Sequence, residues 1–225
     1  MRMPVFRNLA FFPDPLPRLG PAQMAVDQAL LELASVPVLR VYRWAAPAVT
    51  FGYSHSYQAV LASCPGLPLV RRWTGGGVVP HTGDWTFALI CPRDIEVAHL
   101  PPDETYRLIH TALAEALACL GLAARLVAAS EVLPGPHCFA APALSDVFDS
   151  AGRKICGGAQ RRTRHGFLHQ GSLQHCPVPP DFGSTFASAL AEEVTNFSPP
   201  ESLESRTAHL VQERYATPEW LKKIP

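Results

Sequence analysis

The sequence predicts an α+β domain: a mixed or antiparallel β-sheet with helices packed against one face. Strand-like stretches are concentrated in residues 38–52, 67–92 and 145–173. Helical periodicity appears between and after them, and proline pairs fall at the joints, which together suit one layered α+β unit. At 225 residues one core is expected, so residues 1–225 are read as a single domain. The first helix is expected over 21–34, where Val26, Ala29, Leu30 and Leu33 share a stripe. The clearest helix runs over 103–120, with Ile109, Ala112, Leu113, Ala116, Leu117 and Leu120 at helical spacing and Gly121 placed to end it. Short apolar stretches on either side of Ser150–Gly152 and of Thr163–Gly166 predict a three-strand meander. Later helices are expected over 181–193 and 202–215, and Thr217-Pro218 reads as a cap with proline at the first helical position. There is no internal repeat.

Composition narrows the function classes. Hydrophobic residues make up 48% of the chain and suffice for a core, while 19 basic and 19 acidic residues balance. That balance argues against a generally basic nucleic-acid binder. One basic cluster, Arg153, Lys154, Arg161, Arg162, Arg164 and His165, is either solvated hairpin charge or a surface for an acidic partner. The six cysteines are scattered without a CxxC pair, which favours a reducing compartment over a disulfide framework. The His and Cys residues between His165 and Cys176 match no usual zinc spacing, so no metal site is expected. No apolar run approaches the ~20 residues of a membrane span. Pro4 interrupts the first twelve residues, which makes a poor signal peptide and points to the cytoplasm.

Two segments carry the chemistry. Arg71-Arg72-Trp73-Thr74-Gly75-Gly76-Gly77-Val78-Val79-Pro80-His81 joins two guanidinium groups, three glycines and an imidazole at the end of an expected strand. Fixed positive charge beside exposed backbone N–H groups suits a carboxylate, a phosphate or a developing oxyanion. The plainer reading is a glycine-rich hairpin with surface arginines. The second segment, Asp146 to Leu173, contains Gly152-Arg153-Lys154-Ile155-Cys156-Gly157-Gly158-Ala159-Gln160. A lysine where backbone comes close can hold an anion or polarise a carbonyl. By local chemistry alone, a solvated hairpin lysine is the simpler account.

Together these segments resemble the biotin/lipoate protein ligase and transferase superfamily, in its lipoate and octanoate branch. That branch carries an R-R-x-T/S-G-G-G-x-V-x-H stretch and, later, a G-x-K-I-x-G-S-A-Q-like strand. Weaker similarity extends over Met24–Leu30, Leu39–Trp44 and Phe51–Tyr53, so the resemblance covers residues 20 to 175. It implies the family's fold, with the acyl and phosphate site lying over the sheet. It also implies that Arg71, Arg72, Gly75, Gly76, Gly77 and His81 surround the activated acyl group, with Lys154 at its carbonyl or phosphoryl oxygen. Val78, Val79, Gly157, Gly158 and Ala159 are expected to line a pocket for the acyl tail.

The family joins octanoyl or lipoyl chains to one lysine of a lipoyl carrier domain, such as glycine cleavage H protein or the E2 subunit of 2-oxoacid dehydrogenases. His137-Cys138-Phe139-Ala140-Ala141-Pro142 is similar to the C-F-x-x-P segment of its cysteine-dependent octanoyltransferases. That similarity makes Cys138 the expected nucleophile, loaded from acyl carrier protein, although an inert half-buried cysteine is the ordinary alternative. The competing activity is an ATP-dependent lipoate ligase working through an acyl-adenylate. ATP and magnesium would then be substrates, and no tightly bound cofactor is expected in either case. The residues after the hairpins look too few for the ligases' C-terminal accessory domain, which favours the transferase unless a separate chain supplies that part. A non-catalytic acyl-adenylate-binding protein is a third reading, and biotin ligation a fourth. Ser54-His55, Gln170-Gly171 and Gly158 depart from the family pattern, where glutamine follows Gly-Tyr, His-Gly follows the lysine hairpin, and serine is common in place of Gly158.

Overall fold

A computed structural model of the chain describes residues 4–128 and 143–224. An eight-stranded mixed sheet forms its centre, in the order β11-β1-β2-β6-β10-β9-β8-β7. Its strands are β1 (Phe6–Pro13), β2 (Val38–Tyr42), β6 (Trp85–Pro92), β7 (Ala124–Leu126), β8 (Val147–Asp149), β9 (Lys154–Thr163), β10 (Gly166–Leu173) and β11 (Ala191–Asn196). A second, three-stranded sheet holds β3 (Ala48–Phe51), β4 (Leu69–Arg71) and β5 (Val78–His81) in the order β4-β3-β5, and α2 (Tyr57–Ser63) packs Val60 against it. The meander expected from its two turns is present as β8-β9-β10, with Gly158 opposite Gly171 and Gly157 opposite Ser172.

Side-chain alternation shows how the large sheet is covered. Along β6, Phe87, Leu89 and Cys91 enter one apolar cluster, whereas Ala88 and Ile90 enter another. Both faces are therefore buried, which explains the unbroken apolar run Phe87–Cys91. On the first face lie α3 (Pro102–Cys119), through Ile109, Ala112, Leu113, Ala116 and Leu117, and α4 (Phe182–Leu190), through Phe182, Phe186 and Leu190. On the second lie α1 (Gly20–Leu33), through Met24, Val26, Ala29 and Leu30, and α5 (Ser202–Leu210), through Leu203 and Leu210. The expectation of helices on one face is thus corrected: they cover both.

Two further differences have local causes. The helix expected over 181–193 stops at Leu190, and Ala191 turns extended to begin β11. β11 exposes nearly every side chain, so its strand character comes from parallel pairing with β1 (Leu9 opposite Val194) and leaves no apolar alternation to read. The segment 202–215 is α-helical to Leu210 and then widens into a π-helical turn, Val211–Tyr215. The last helix, α6 (Pro218–Leu221), starts as expected: the Thr217 hydroxyl accepts from Trp220 N–H at 3.2 Å, and Pro218 occupies the first turn. Among the described residues no helix is long and apolar enough to cross a membrane.

Candidate acyl-binding site

The two motif segments meet. A cleft of about 380 Å³, the open space at its mouth included, lies between the two sheets beside α1. Its walls include Met24, Tyr42, Trp44 and Val79 on the apolar side, Thr50, Arg72, His81, Thr86, Gln170 and Ser172 on the polar side, and Gly157–Ala159 along β9. Such a mixed lining, apolar with a few convergent polar groups, is the ordinary make-up of a small-ligand site.

Close backbone approach fixes the shape of the glycine loop. Gly76 has φ +79°, a left-handed conformation open to glycine, and a Cβ there would stand 3.1 Å from the Ala159 methyl. A Cβ on Gly52 would stand 2.1 Å from the Gly76 carbonyl oxygen, so the preceding loop must also lack a side chain. Arg72 threads this loop, donating to the Gly75 carbonyl at 2.9 Å, the Gly77 carbonyl at 2.7 Å and the Thr50 hydroxyl at 2.6 Å.

From Thr50 the bonding continues in one direction. Because Asp84 only accepts, His81 carries its proton on Nδ1 and donates to Asp84 Oδ2 at 2.7 Å. Its bare Nε2 then accepts the Thr50 hydroxyl proton at 2.8 Å. The ring stacks on Trp44 at 4.0 Å. Burial pushes the His81 pKa down, with Asp84 opposing, so the ring is neutral at pH 7. Burial alone would raise the Asp84 carboxyl. The His81 hydrogen bond, with those from the Ser172 and Thr86 hydroxyls, outweighs it and holds the group below its ordinary value.

Lys154 opens β9 and does not itself line the cavity; it packs against Gly157, which does. Its Nζ lies 2.6 Å from Asp146 Oδ2, and both side chains are buried. A Cβ built on Gly157 would be 3.0 Å from Lys154 Nζ and 3.2 Å from Asp146 Oδ1, so the absent side chain opens the path from the ammonium to the cavity wall. Asp146 Oδ2, the oxygen that meets Lys154, also accepts from Ala143 N–H at 2.6 Å.

Several sequence expectations are placed differently or lie elsewhere. Arg71 does not line the cavity. Its guanidinium donates to the Tyr53 and His55 carbonyls at 2.7 Å each, to Leu221 O at 3.1 Å and to Ile224 O at 3.2 Å, clasping the C-terminal turn against β4. Those partners lie some 150 positions away in sequence for Leu221 and Ile224, beyond any motif's reach. Val78 points into the small apolar cluster with Val49, Phe51 and Val60, while Val79 faces the cavity. Gly75 and Gly77 contribute carbonyls to Arg72, and none of Gly75, Gly76 and Gly77 forms cavity wall. Cys138, with His137 and Phe139, lies outside the described residues.

The motif reading missed the support beneath the cavity. Gln170 donates to Asp27 Oδ2 at 2.7 Å and accepts from the Thr74 hydroxyl at 2.7 Å, joining β10, α1 and the glycine loop. Asp27 also meets Arg40 Nη1 at 2.6 Å, and Arg40 binds Asp14 and the Gln23 side chain. Burial raises the Asp27 pKa, partly opposed by the Arg40 charge and the Gln170 bond. A lone aspartate within the apolar first helix was the available signal. Among the described residues no group of three or more His, Cys, Asp or Glu stands together as a metal site.

A mixed sheet carrying this glycine loop and buried lysine places the chain in a family. It belongs to the lipoyl protein ligase A/B catalytic domain family, whose sequence profile matches residues 20–221. Among individual proteins, it is 32% identical over 166 residues to octanoyltransferase LipM of Macrococcus caseolyticus, covering 67% of this chain and 60% of that one. Against the LipM of Kyrpidia tusciae it is 32% identical over 168 residues, again covering 67% and 60%. The chain thus spans about 60% of the length of these relatives. The fold is that of a bipartite lipoate protein ligase from Thermoplasma acidophilum (TM-score 0.73, 21% identity, covering 100% of this chain and 98% of that one). It is also that of a lipoate-protein ligase A bound with ATP (TM-score 0.72, 21% identity, covering 98% and 100%).

Proposed function

We propose that the protein carries an octanoyl or related acyl group from acyl carrier protein to one lysine of a lipoyl carrier domain, through a thioester on Cys138. The meeting of Arg72 with Gly157–Ala159 at one cavity, with the Lys154 ammonium packed against Gly157, is the observation that carries this reading. The apolar wall suits an alkyl tail, and the Lys154 ammonium suits the oxygen of the acyl carbonyl as charge gathers there. In the first half-reaction the Cys138 thiolate attacks the carbonyl, the carrier's thiol leaves with a proton, and octanoyl-Cys138 forms. In the second, the acceptor amine attacks that thioester, an amide forms, and the Cys138 thiol is restored. Neither half consumes ATP or changes oxidation state.

Two further observations support the assignment. The relatives at 32% identity are named octanoyltransferases. In addition, Val127 N–H donates to Asp146 O at 2.8 Å and Ser145 N–H to Val127 O at 3.3 Å, so the residues flanking the Cys138 segment are tied beside the Lys154–Asp146 pair. The chain acts in this reading as a single cytoplasmic domain. Its acceptors are glycine cleavage H protein or the E2 subunits of 2-oxoacid dehydrogenases.

Incubation with octanoyl-acyl carrier protein, followed by peptide mass spectrometry, tests this directly. An octanoyl adduct on Cys138, absent in Cys138→Ala and discharged by an apo carrier domain, is expected. No adduct, together with ATP-dependent formation of an acyl-adenylate and acylated carrier domain, would establish the ligase. Tight acyl-adenylate binding without any transfer would instead mark a binding protein.

A further inference from the structure

A pair of imidazoles sits on the other side of β9 from the cavity. His110 of α3 and His169 of β10 are fully buried, with Nε2 atoms 3.2 Å apart and rings at 84°. Gly158 makes room for them: a Cβ there would stand 2.5 Å from His169 Nε2 and 2.9 Å from His110 Nε2.

The bonding partners allow one placement of the protons. Ser145 O can only accept, so His110 Nδ1 carries a hydrogen and donates to it at 2.6 Å. The neutral ring then presents a bare Nε2, to which His169 Nε2–H donates. His169 Nδ1 is bare in turn and accepts from the Gln160 amide at 3.2 Å, an amide that also donates to Thr105 at 3.0 Å. Each ring holds one proton, and no donor faces a donor. Burial lowers both pKa values, that of His169 further because His110 adjoins it. Among the described residues, the other titratable groups near the pair are Asp146 and Lys154, which act on His110 through their charges, and Tyr106, whose ring meets both imidazoles. From β6 only the uncharged Phe87 ring stacks on His169.

The far end of this chain of bonds is an unusual piece of backbone. Ser145 has φ 67°, a left-handed conformation rare for a residue with a side chain. The next residue is Asp146, whose carboxylate holds Lys154. We propose that the His110–His169 pair positions Lys154: by gripping the Ser145 carbonyl it sets Asp146, and Asp146 aims the ammonium at the Gly157 edge of the cavity. The proposal rests on the reading of Lys154 as the cation at the acyl group. His110 and His169 touch no substrate in it; they are positioning residues acting through Ser145 and Asp146.

Two arms test it, one free of substrate. The chain has three lysines, Lys154, Lys222 and Lys223, so isotope-labelled lysine gives a side-chain spectrum that is simple to assign. Nitrogen-15 histidine spectra of the parent protein should show hydrogen on Nδ1 of His110 and on Nε2 of His169. His110→Leu should shift the Lys154 signal. His110→Asn, whose amide nitrogen takes the place of Nδ1, should restore it. In octanoyl transfer, His110→Leu should lower kcat by about tenfold or more with KM nearly unchanged, and His110→Asn should stay within about threefold of the parent.

The reverse tautomers in the parent protein would overturn the proposal. So would equal loss in the Leu and Asn variants, or a Lys154 signal that neither variant moves. A parent protein that transfers no acyl group would defeat the functional reading alone, and the spectra would still judge the pair.

Discussion

Replacing Arg40 with methionine tests how the cavity floor is held. The Arg40 side chain is fully buried, and it donates to Asp14 Oδ2 from Nε at 3.0 Å and from Nη2 at 2.7 Å. It also donates to Asp27 Oδ1 at 2.6 Å. Asp14 would keep Arg18 at 2.5 Å in the variant. Asp27, equally buried, would keep Gln170 at 2.7 Å and a long contact of 3.5 Å to the Tyr42 hydroxyl. One carboxylate is then left without a compensating charge, a change that costs about 3–5 kcal/mol in comparable buried pairs. For a domain of this length that corresponds to a fall in Tm of roughly 6–20 °C. Urea unfolding at pH 7 would measure it, and adding Asp27→Asn should recover at least about 1.5 kcal/mol by removing the stranded charge.

The pH dependence of this variant has a definite sign. Asp27 already has a raised pKa, and loss of the Arg40 charge raises it further. The folded state then binds a proton more tightly than the unfolded one, so the penalty shrinks as pH falls through the folded pKa. A loss under ~1 kcal/mol, or one indifferent to both Asp27→Asn and acid, would refute the account of Arg40 as compensation for Asp27.

Other perturbations follow from the same geometry. Gly158→Ala drives a methyl into His169 and should cost about 1–3 kcal/mol in chemical denaturation, with at least ~1 kcal/mol of favourable coupling when His169→Ala is added. Arg71→Leu leaves four carbonyls without their donor and should cost about 2–4 kcal/mol, read as lowered Tm, while Arg72→Leu should chiefly weaken acyl binding in calorimetry. The neutral histidine pair contributes no pH dependence above the ordinary histidine pKa of about 6.5. Below it the unfolded chain takes up protons that the folded pair refuses, so stability falls by up to about 1.4 kcal/mol per pH unit for each ring. Unfolding curves of His169→Gln should show a shallower acid limb. Lys154→Met should reduce the proposed transfer by about 100-fold or more in single-turnover assays, as loss of one preorganised oxyanion partner does elsewhere.

What could be read from sequence was what local chemistry encodes. The turns around Gly152 and Gly166 delimit the β8-β9-β10 meander, and the apolar spacing of Ile109 to Leu117 sets α3 against the sheet. Arg72, Val79 and Gly157–Ala159 reach the cavity because each sits within a motif whose backbone conformation is local. Long-range choices were silent. Nothing in Ala191–Asn196 announces a strand, since its partner β1 lies at the opposite end of the sequence. Two adjacent arginines look equivalent on paper, yet Arg71 turns to the C-terminal carbonyls and Arg72 to the glycine loop. His110 and His169 are separated by 59 residues, and only the folded sheet makes one unit of them.

The place of β1 bears on how the protein is made. This strand lies parallel between β2 and β11, with Phe6 opposite Ala191. It leaves the ribosome well before its outer neighbour β11, which follows far later in the sequence. At about 5–20 residues per second the interval is roughly 10–40 s. Throughout that time one edge of a nascent sheet, carrying Phe6, Leu9 and Phe12, stands open to other chains. Slow synthesis or crowded polysomes should therefore favour aggregation of this protein, and a chaperone that shields β1 would raise the yield of native molecules.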